Sequence, residues 1–308
     1  RGVLLVSLAT SSVFGCLGLF FVRKWLVRPK DLRRLREMLP FAIPYGVICV
    51  IGAFSPAMER TLTNSLLGTE QMGLYAAAAK IAMIIMLAAS AFQIAWGPFS
   101  LSLYKQVDAA RTYNWVLKLF ALGMCVAALS LTLLAAPLIH FLASARYSGA
   151  VWAVFPLVMG LAIQTTSWIT EIGISISKRS YLSLYSHTTF IGATLLGIWL
   201  FAPAFGILGV GLGVLLGQTA KTLIASWLAQ RAYPLPWKYR PVILLVAATL
   251  LFGLAATWLG RQFGPLVYQL GLATGLITII LLGWTALLDK TERVQIIAFV
   301  RKRVAARA

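Results

Sequence analysis

The stretch that decides the fold class is residues 242–259, VILLVAATLLFGLAATWL, in which eighteen consecutive residues carry no charge. A transmembrane α-helix needs about 20 mainly apolar residues, because the hydrocarbon core of a bilayer is about 30 Å thick. Polar and apolar residues do not alternate in this stretch, as they would in a strand of a membrane barrel. The stretch therefore predicts a membrane-spanning helix.

Similar apolar runs recur along the whole chain. Of its 308 residues, 60% are hydrophobic and 11% are charged, and the mean hydropathy is +0.86. Soluble domains have about 45–50% apolar and about 25% charged residues, so a soluble enzyme and a disordered or fibrous chain are excluded. The predicted fold is an all-α polytopic membrane bundle of about nine helices. The predicted spans are residues 2–22, 41–66, 72–96, 115–134, 150–174, 182–200, 207–228, 242–259 and 266–288.

The distribution of basic residues predicts the orientation of this bundle. There are 27 Lys and Arg residues against 8 Asp and Glu, a net charge of +19. Of the 27 cations, 21 fall in the C-terminal tail, in the odd-numbered connectors or beside them, and only three on the opposite side. Cytoplasmic loops are rich in Lys and Arg. The C-terminus is therefore expected in the cytoplasm, and the charge indicates an anionic inner leaflet rather than nucleic acid as the partner.

Two features mark the organisation along the chain. Residues 23–37 form a basic stretch, which either lies as an amphipathic helix on the inner leaflet or is an ordinary basic loop. Gly209, Gly213 and Gly217 follow at four-residue spacing, which predicts a helix face that another helix approaches closely. Because the chain starts with Arg1 rather than Met, a truncated chain is expected.

Charged residues inside predicted spans are the first candidates for function. They are costly in a bilayer and usually face a bundle interior or water. Arg60 and Lys80 lie on antiparallel arms of one hairpin, so they are expected to reach similar depth and to attract phosphate or another anionic group. Beside them, Glu59 either holds a cation or carries a proton. The alternative is that these side chains snorkel to the outer interface.

The fifth predicted span carries the second group of candidates. Gln164, Ser167 and Glu171 share one helical face, which predicts a cavity wall with Glu171 as an ion or proton site. Alternatively, Glu171 lies near the inner surface and pairs with a neighbouring base. Secondary candidates are Asn64 and Lys221, the latter expected to snorkel inward.

Signatures of enzymes are missing from the sequence. It contains no P-loop and no Gly-x-Ser-x-Gly elbow. His140 and His187 are far apart and lack ligands at metal-binding spacing, so neither a metal nor another cofactor is predicted. The longest outer loop, residues 135–149, is short for a catalytic domain.

Several short segments, in this order and spacing, resemble the polysaccharide-biosynthesis flippases of the O-antigen and exopolysaccharide branch of the MOP exporter superfamily. They are residues 39–44 (LPFAIP), 59–60 (ER), 68–80 (GTEQMGLYAAAAK), 95–98 (AWGP), 175–179 (SISKR) and 205–209 (FGILG).

The resemblance implies a domain map. Such flippases have two six-helix lobes, similar to those of MATE transporters, and some have two further C-terminal helices. Residues 1–22 would be the last helix of a truncated first lobe, and 23–38 a cytoplasmic linker between lobes. Residues 39–229 would be the second six-helix lobe, 230–288 the two extra helices and 289–308 a basic cytoplasmic tail. Without the first lobe, this stretch alone is not expected to transport.

The resemblance also implies a function. It is the export of an undecaprenyl-pyrophosphate-linked oligosaccharide across the bacterial inner membrane, in concert with polymerase or assembly proteins. Arg60 and Lys80 would hold the substrate, and Glu59 and Glu171 would couple transport to a proton or sodium gradient. The alternatives are a MATE-like drug antiporter, a membrane-bound glycan polymerase or ligase, and a structural subunit.

Overall fold

The computed structural model describes residues 2–25 and 33–287. Within these ranges the chain is helical and has no strand, which confirms the predicted all-α class. Turns of 3₁₀-helix cover Arg23–Trp25 and Ala145–Ala150, and a π-helical turn covers Gly283–Leu287. The α-helices are α1 (Gly2–Val22), α2 (Arg33–Ala82), α3 (Ile84–Leu103), α4 (Ala109–Leu133), α5 (Ala135–Leu142), α6 (Val151–Thr170), α7 (Ile172–Ser177), α8 (Tyr181–Phe205), α9 (Ile207–Ala232), α10 (Tyr239–Phe263) and α11 (Pro265–Leu282).

Seven helical segments in the described part of the chain are long and apolar enough to cross a membrane. The first of them, Met38–Leu103, has 66 residues and would be about 100 Å long if it were straight. Because a bilayer core is about 30 Å thick, this segment accommodates two of the predicted spans. The first predicted span forms α1, whose apolar part Leu8–Val22 is shorter. The chain is therefore a multi-pass membrane protein.

Helix α2 reverses direction at Gly68, which has a φ of +83°. Residues other than glycine rarely adopt this left-handed conformation. The reversal is evident from Tyr75, which hydrogen-bonds Glu59 sixteen residues earlier, at 2.5 Å, whereas a straight helix would separate them by about 24 Å. Thr69 closes the turn by donating its hydroxyl hydrogen bond to Asn64 Oδ1 at 3.0 Å. The two arms of α2 thus form an antiparallel hairpin.

The chain divides into two compact units, residues 1–42 and residues 43–308. The first contains α1 and the beginning of α2, and the second contains the rest of α2 and every later helix. The predicted map of lobe, linker and extra helices stays a prediction. Residues 26–32 of the predicted linker and the predicted tail, 289–308, lie outside the described residues.

Helices α8 and α9 pack closely along the glycine face of α9. A Cβ atom added at Gly213 would lie 2.4 Å from the backbone nitrogen of Ile198, and one at Gly209 would lie 2.1 Å from the carbonyl oxygen of Phe201. A Cβ at Gly217 would lie 1.9 Å from Thr194 Oγ1. The prediction that this face admits a neighbouring helix is confirmed.

Helix α6 is the central helix of the second unit. Most of its side chains are buried, including Val154, Phe155 and Met159, and it contacts α3, α4, α9 and α10. A helix that is apolar on nearly all sides belongs inside a bundle. The polar residues in its second half are therefore held within the protein, where they need polar partners or a cavity.

Candidate functional site

A cavity of about 330 Å³ lies inside the second unit, between the two arms of α2 and helices α6, α8 and α9. Its polar side chains fall into two sets. The α2 wall consists of Ser55, Glu59, Arg60 and Tyr75, and the α6–α9 wall consists of Gln164, His187, Gln218 and Lys221.

The α2 wall is organised around the buried carboxylate of Glu59, which is 8% exposed. Ser55, one helical turn earlier, donates its hydroxyl hydrogen bond to Glu59 Oε1 at 3.0 Å. Tyr75, on the other arm of the hairpin, donates to Glu59 Oε2 at 2.5 Å. Each carboxylate oxygen thus has a donor. The next residue, Arg60, is exposed and also borders the cavity.

In the α6–α9 wall, Gln218 and Lys221 lie almost one turn apart on α9, so they share a face. They are only 5% and 3% exposed. The side-chain oxygen of Gln218 has no hydrogen-bond partner among the described residues. Lys221 likewise makes no hydrogen bond or ion pair within the described part of the chain. Gln218 is the twelfth of the 26 residues of α9, so this wall lies near the middle of a spanning helix.

His187 projects from α8 into the same wall. Its Nδ1 atom lies 2.8 Å from the carbonyl oxygen of Ser183. Because a carbonyl oxygen only accepts, Nδ1 carries the proton and donates it. In the neutral imidazole, Nε2 is then the acceptor.

Glu171 lies behind this wall, where α6 ends and α7 begins, and it does not border the cavity. Its carboxylate acts electrostatically on Lys221 and His187. No ion pair within 4 Å joins it to any described residue, including the exposed Lys178 and Arg179. Its Oε1 atom is buried without a hydrogen-bond partner among those residues.

Four of the residues predicted from sequence come together around the cavity: Glu59, Arg60, Gln164 and Lys221. The others do not border it. Lys80 is exposed, Asn64 bonds Thr69 in the hairpin turn, and Ser167 is fully buried in α6. The predicted functions of all these residues stay predictions.

Sequence reasoning missed four side chains of the site: Ser55, Tyr75, His187 and Gln218. Ser55 and Tyr75 have no feature in the sequence that distinguishes them from other residues of apolar helices. His187 lacks partners at metal-ligand spacing, and the sequence assigns it no other role. The spacing of Gln218 and Lys221 on one face of α9 was the one signal that could have identified a polar wall there.

Comparison with known proteins gives one match. Residues 3–152 match the family model described as "Polysaccharide biosynthesis protein". The match includes the α2 wall of the cavity, whereas the α6–α9 wall lies beyond it. No curated protein and no solved structure matches the chain. Over residues 3–152 the chain is therefore similar to the polysaccharide biosynthesis protein family.

Proposed function

We propose that this chain is part of a flippase that moves an undecaprenyl-pyrophosphate-linked oligosaccharide across the bacterial inner membrane. The observation that carries the proposal is a cavity between membrane-spanning helices whose lining includes eight polar side chains, in a chain of which residues 3–152 match a polysaccharide biosynthesis family. A glycan head group cannot cross hydrocarbon unaided, because each of its polar groups that lacks a hydrogen-bond partner there costs several kcal/mol. A polar cavity at membrane depth replaces water around that head group.

The cationic groups of the hairpin are proposed to meet the anionic part of the substrate. Arg60 borders the cavity and offers a planar guanidinium that can bind a phosphate through two parallel hydrogen bonds. Lys80 lies on the second arm of the same hairpin, exposed and outside the cavity wall. In this proposal Lys80 attracts the substrate and Arg60 holds it.

Energy coupling is proposed to involve Glu59 first and Glu171 second. Ionisable residues inside membrane helices commonly form proton or ion pathways. Glu59 faces the cavity with both carboxylate oxygens held by hydroxyl donors. Glu171 acts on Lys221 and His187 from behind the opposite wall. A change of charge at either carboxylate would alter the wall that the substrate touches.

Arg60→Ala tests this function. The full-length protein is reconstituted in proteoliposomes with a fluorescent lipid-linked oligosaccharide, and the fraction of head groups protected from an external reagent is followed. Arg60→Ala is expected to reduce the flipping rate at least tenfold. Arg111→Ala, which removes an exposed arginine of α4 outside the cavity, is the matched control.

The outcomes separate the alternatives. Full flipping by Arg60→Ala would remove Arg60 from the substrate path. If the wild-type protein does not flip the lipid but extends or ligates the glycan, the protein is an enzyme and the transporter proposal is wrong. If it exports a cationic drug instead, the antiporter alternative is correct.

A further inference from the structure

We propose that the α6–α9 wall, Gln164, His187, Gln218 and Lys221, binds a sugar unit that carries a carboxylate group, and that it is not the pyrophosphate site. This inference rests on the proposed function and deepens it, because it specifies an acidic glycan as the substrate class. Three features of the wall support it, and the size of the cavity is consistent with it.

The first feature is an unused acceptor. Gln218 is 5% exposed, borders the cavity and has a side-chain oxygen without a hydrogen-bond partner among the described residues. Leaving a buried acceptor unsatisfied costs about 1–3 kcal/mol. A ligand that donates a hydrogen bond at this position would satisfy the acceptor. A sugar hydroxyl is a donor, whereas an ionised pyrophosphate diester offers only acceptors.

His187 adds a second acceptor to the wall. Since its Nδ1–H donates to the carbonyl oxygen of Ser183, Nε2 of the neutral ring accepts hydrogen bonds. The amide of Gln164 can both donate and accept. A wall with both donors and acceptors matches vicinal hydroxyl groups, because each hydroxyl both donates and accepts hydrogen bonds.

The second feature is the buried ammonium group of Lys221. It is 3% exposed, borders the cavity and has no direct partner within the described residues. A buried cation without a partner is costly in a membrane protein. A carboxylate on the ligand would supply the missing counter-charge next to the hydroxyls that Gln218 and His187 accept from.

The third feature is the charge of the α6–α9 wall itself. Lys221 is its one Lys or Arg residue, whereas Arg60 belongs to the α2 wall, where the pyrophosphate is proposed to bind. A sugar acid brings a single negative charge, whereas the pyrophosphate diester brings at least two. The lining therefore matches the sugar acid better.

The size of the cavity is consistent with one sugar unit. A volume of about 330 Å³ is at the lower end of ligand pockets, which span about 300–1,000 Å³. Only a small portion of a lipid-linked oligosaccharide fits in it. The rest of the glycan and the pyrophosphate would then lie outside this wall.

Saturation-transfer NMR on the purified full chain in detergent tests this inference with three probes: glucuronate, glucose and inorganic pyrophosphate. Glucuronate is expected to bind at least tenfold more tightly than glucose and to displace it, with no competition from pyrophosphate. Lys221→Gln should abolish the preference for glucuronate, and Gln218→Leu should weaken both sugars. Lys105→Gln, an exposed lysine outside the cavity, should behave as wild type.

Two results would overturn the inference: equal binding of glucuronate and glucose, or displacement of glucuronate by pyrophosphate. Because Lys221→Gln could disturb folding, Gln218→Leu and the thermal stability of each variant are measured alongside. In the proteoliposome assay, equal flipping of neutral and acidic lipid-linked glycans would refute the inference and leave the flippase intact. Absence of flipping with every glycan would refute the flippase, while the sugar preference measured by NMR would stand.

Discussion

Tyr75 and Glu59 join the two arms of the α2 hairpin, with the Tyr75 hydroxyl donating to Glu59 Oε2 at 2.5 Å. Ser55 donates to the other carboxylate oxygen at 3.0 Å. This arrangement places a buried carboxylate on the cavity and ties its position to the geometry of the hairpin. The bond thus links the stability of the hairpin to the shape of the α2 wall.

Removing the Tyr75 hydroxyl should destabilise the protein. In Tyr75→Phe the buried Glu59 carboxylate loses one of its two donors, and a hydrogen bond to a charged group contributes about 1.5–3 kcal/mol. Thermal unfolding of the purified protein in detergent measures the loss. Tyr185→Phe removes a hydroxyl from a tyrosine that is 62% exposed and should have no effect. Equal melting temperatures for the two variants would contradict a stabilising bond to Glu59.

Neutralising Glu59 should uncouple transport from the ion gradient. Glu59→Gln keeps the size of the side chain but cannot release a proton or hold a cation by charge. Gradient-driven flipping in proteoliposomes is expected to fall at least tenfold, while exchange without a gradient persists. Glu70→Gln, an exposed residue of the hairpin turn, is the control. Unchanged gradient-driven flipping would mean that Glu59 only holds the hairpin.

A methyl group at Gly213 should separate α8 from α9. The added Cβ would lie 2.4 Å from the backbone nitrogen of Ile198, so the helices must move apart. Overpacking of this kind costs about 1–3 kcal/mol, which a lower melting temperature would reveal. Gly192→Ala on α8 has nothing within 4 Å of its Cβ and serves as the control. Similar melting temperatures for both variants would argue against close packing of the two helices at Gly213.

The charge distribution predicts which connectors face the cytoplasm. Single cysteines at Glu70 and Arg179, both exposed, are introduced after replacement of Cys16, Cys49 and Cys125. In intact cells, a membrane-impermeant maleimide should label Glu70→Cys and spare Arg179→Cys. Labelling in the opposite pattern would invert the topology and with it the direction of transport.

The sequence predicts the membrane-spanning helices better than it predicts the candidate site. The length and apolarity of the runs are sufficient to locate the spans: the predicted span 207–228 corresponds to α9, and 242–259 to α10. Both are slightly longer in the structure because their polar ends continue the helix beyond the apolar run. Gly68 and Gly206 lie between successive predicted spans, and both have a positive φ.

The candidate site was only half predictable. An intramembrane charge is conspicuous in any sequence, so Arg60 and Glu59 are candidates from the sequence alone. Lys221 was expected to snorkel inward, yet it is buried beside the cavity. Which charges face the same space depends on helix rotation, which local sequence does not encode. Lys80 was expected beside Arg60, yet it lies outside the cavity wall, while Tyr75, five residues earlier on the same arm, borders it.

The sequence by itself determined that this protein crosses a membrane many times as α-helices. Its apolar runs are long enough to span a bilayer, and within lipid a helix satisfies the backbone hydrogen bonds of each run. Tertiary structure alone decided which polar groups share a cavity. Gln164, His187, Gln218 and Lys221 come from three helices that are distant in the chain, and they meet only because the glycines of α9 let α8 approach and α6 is buried between its neighbours.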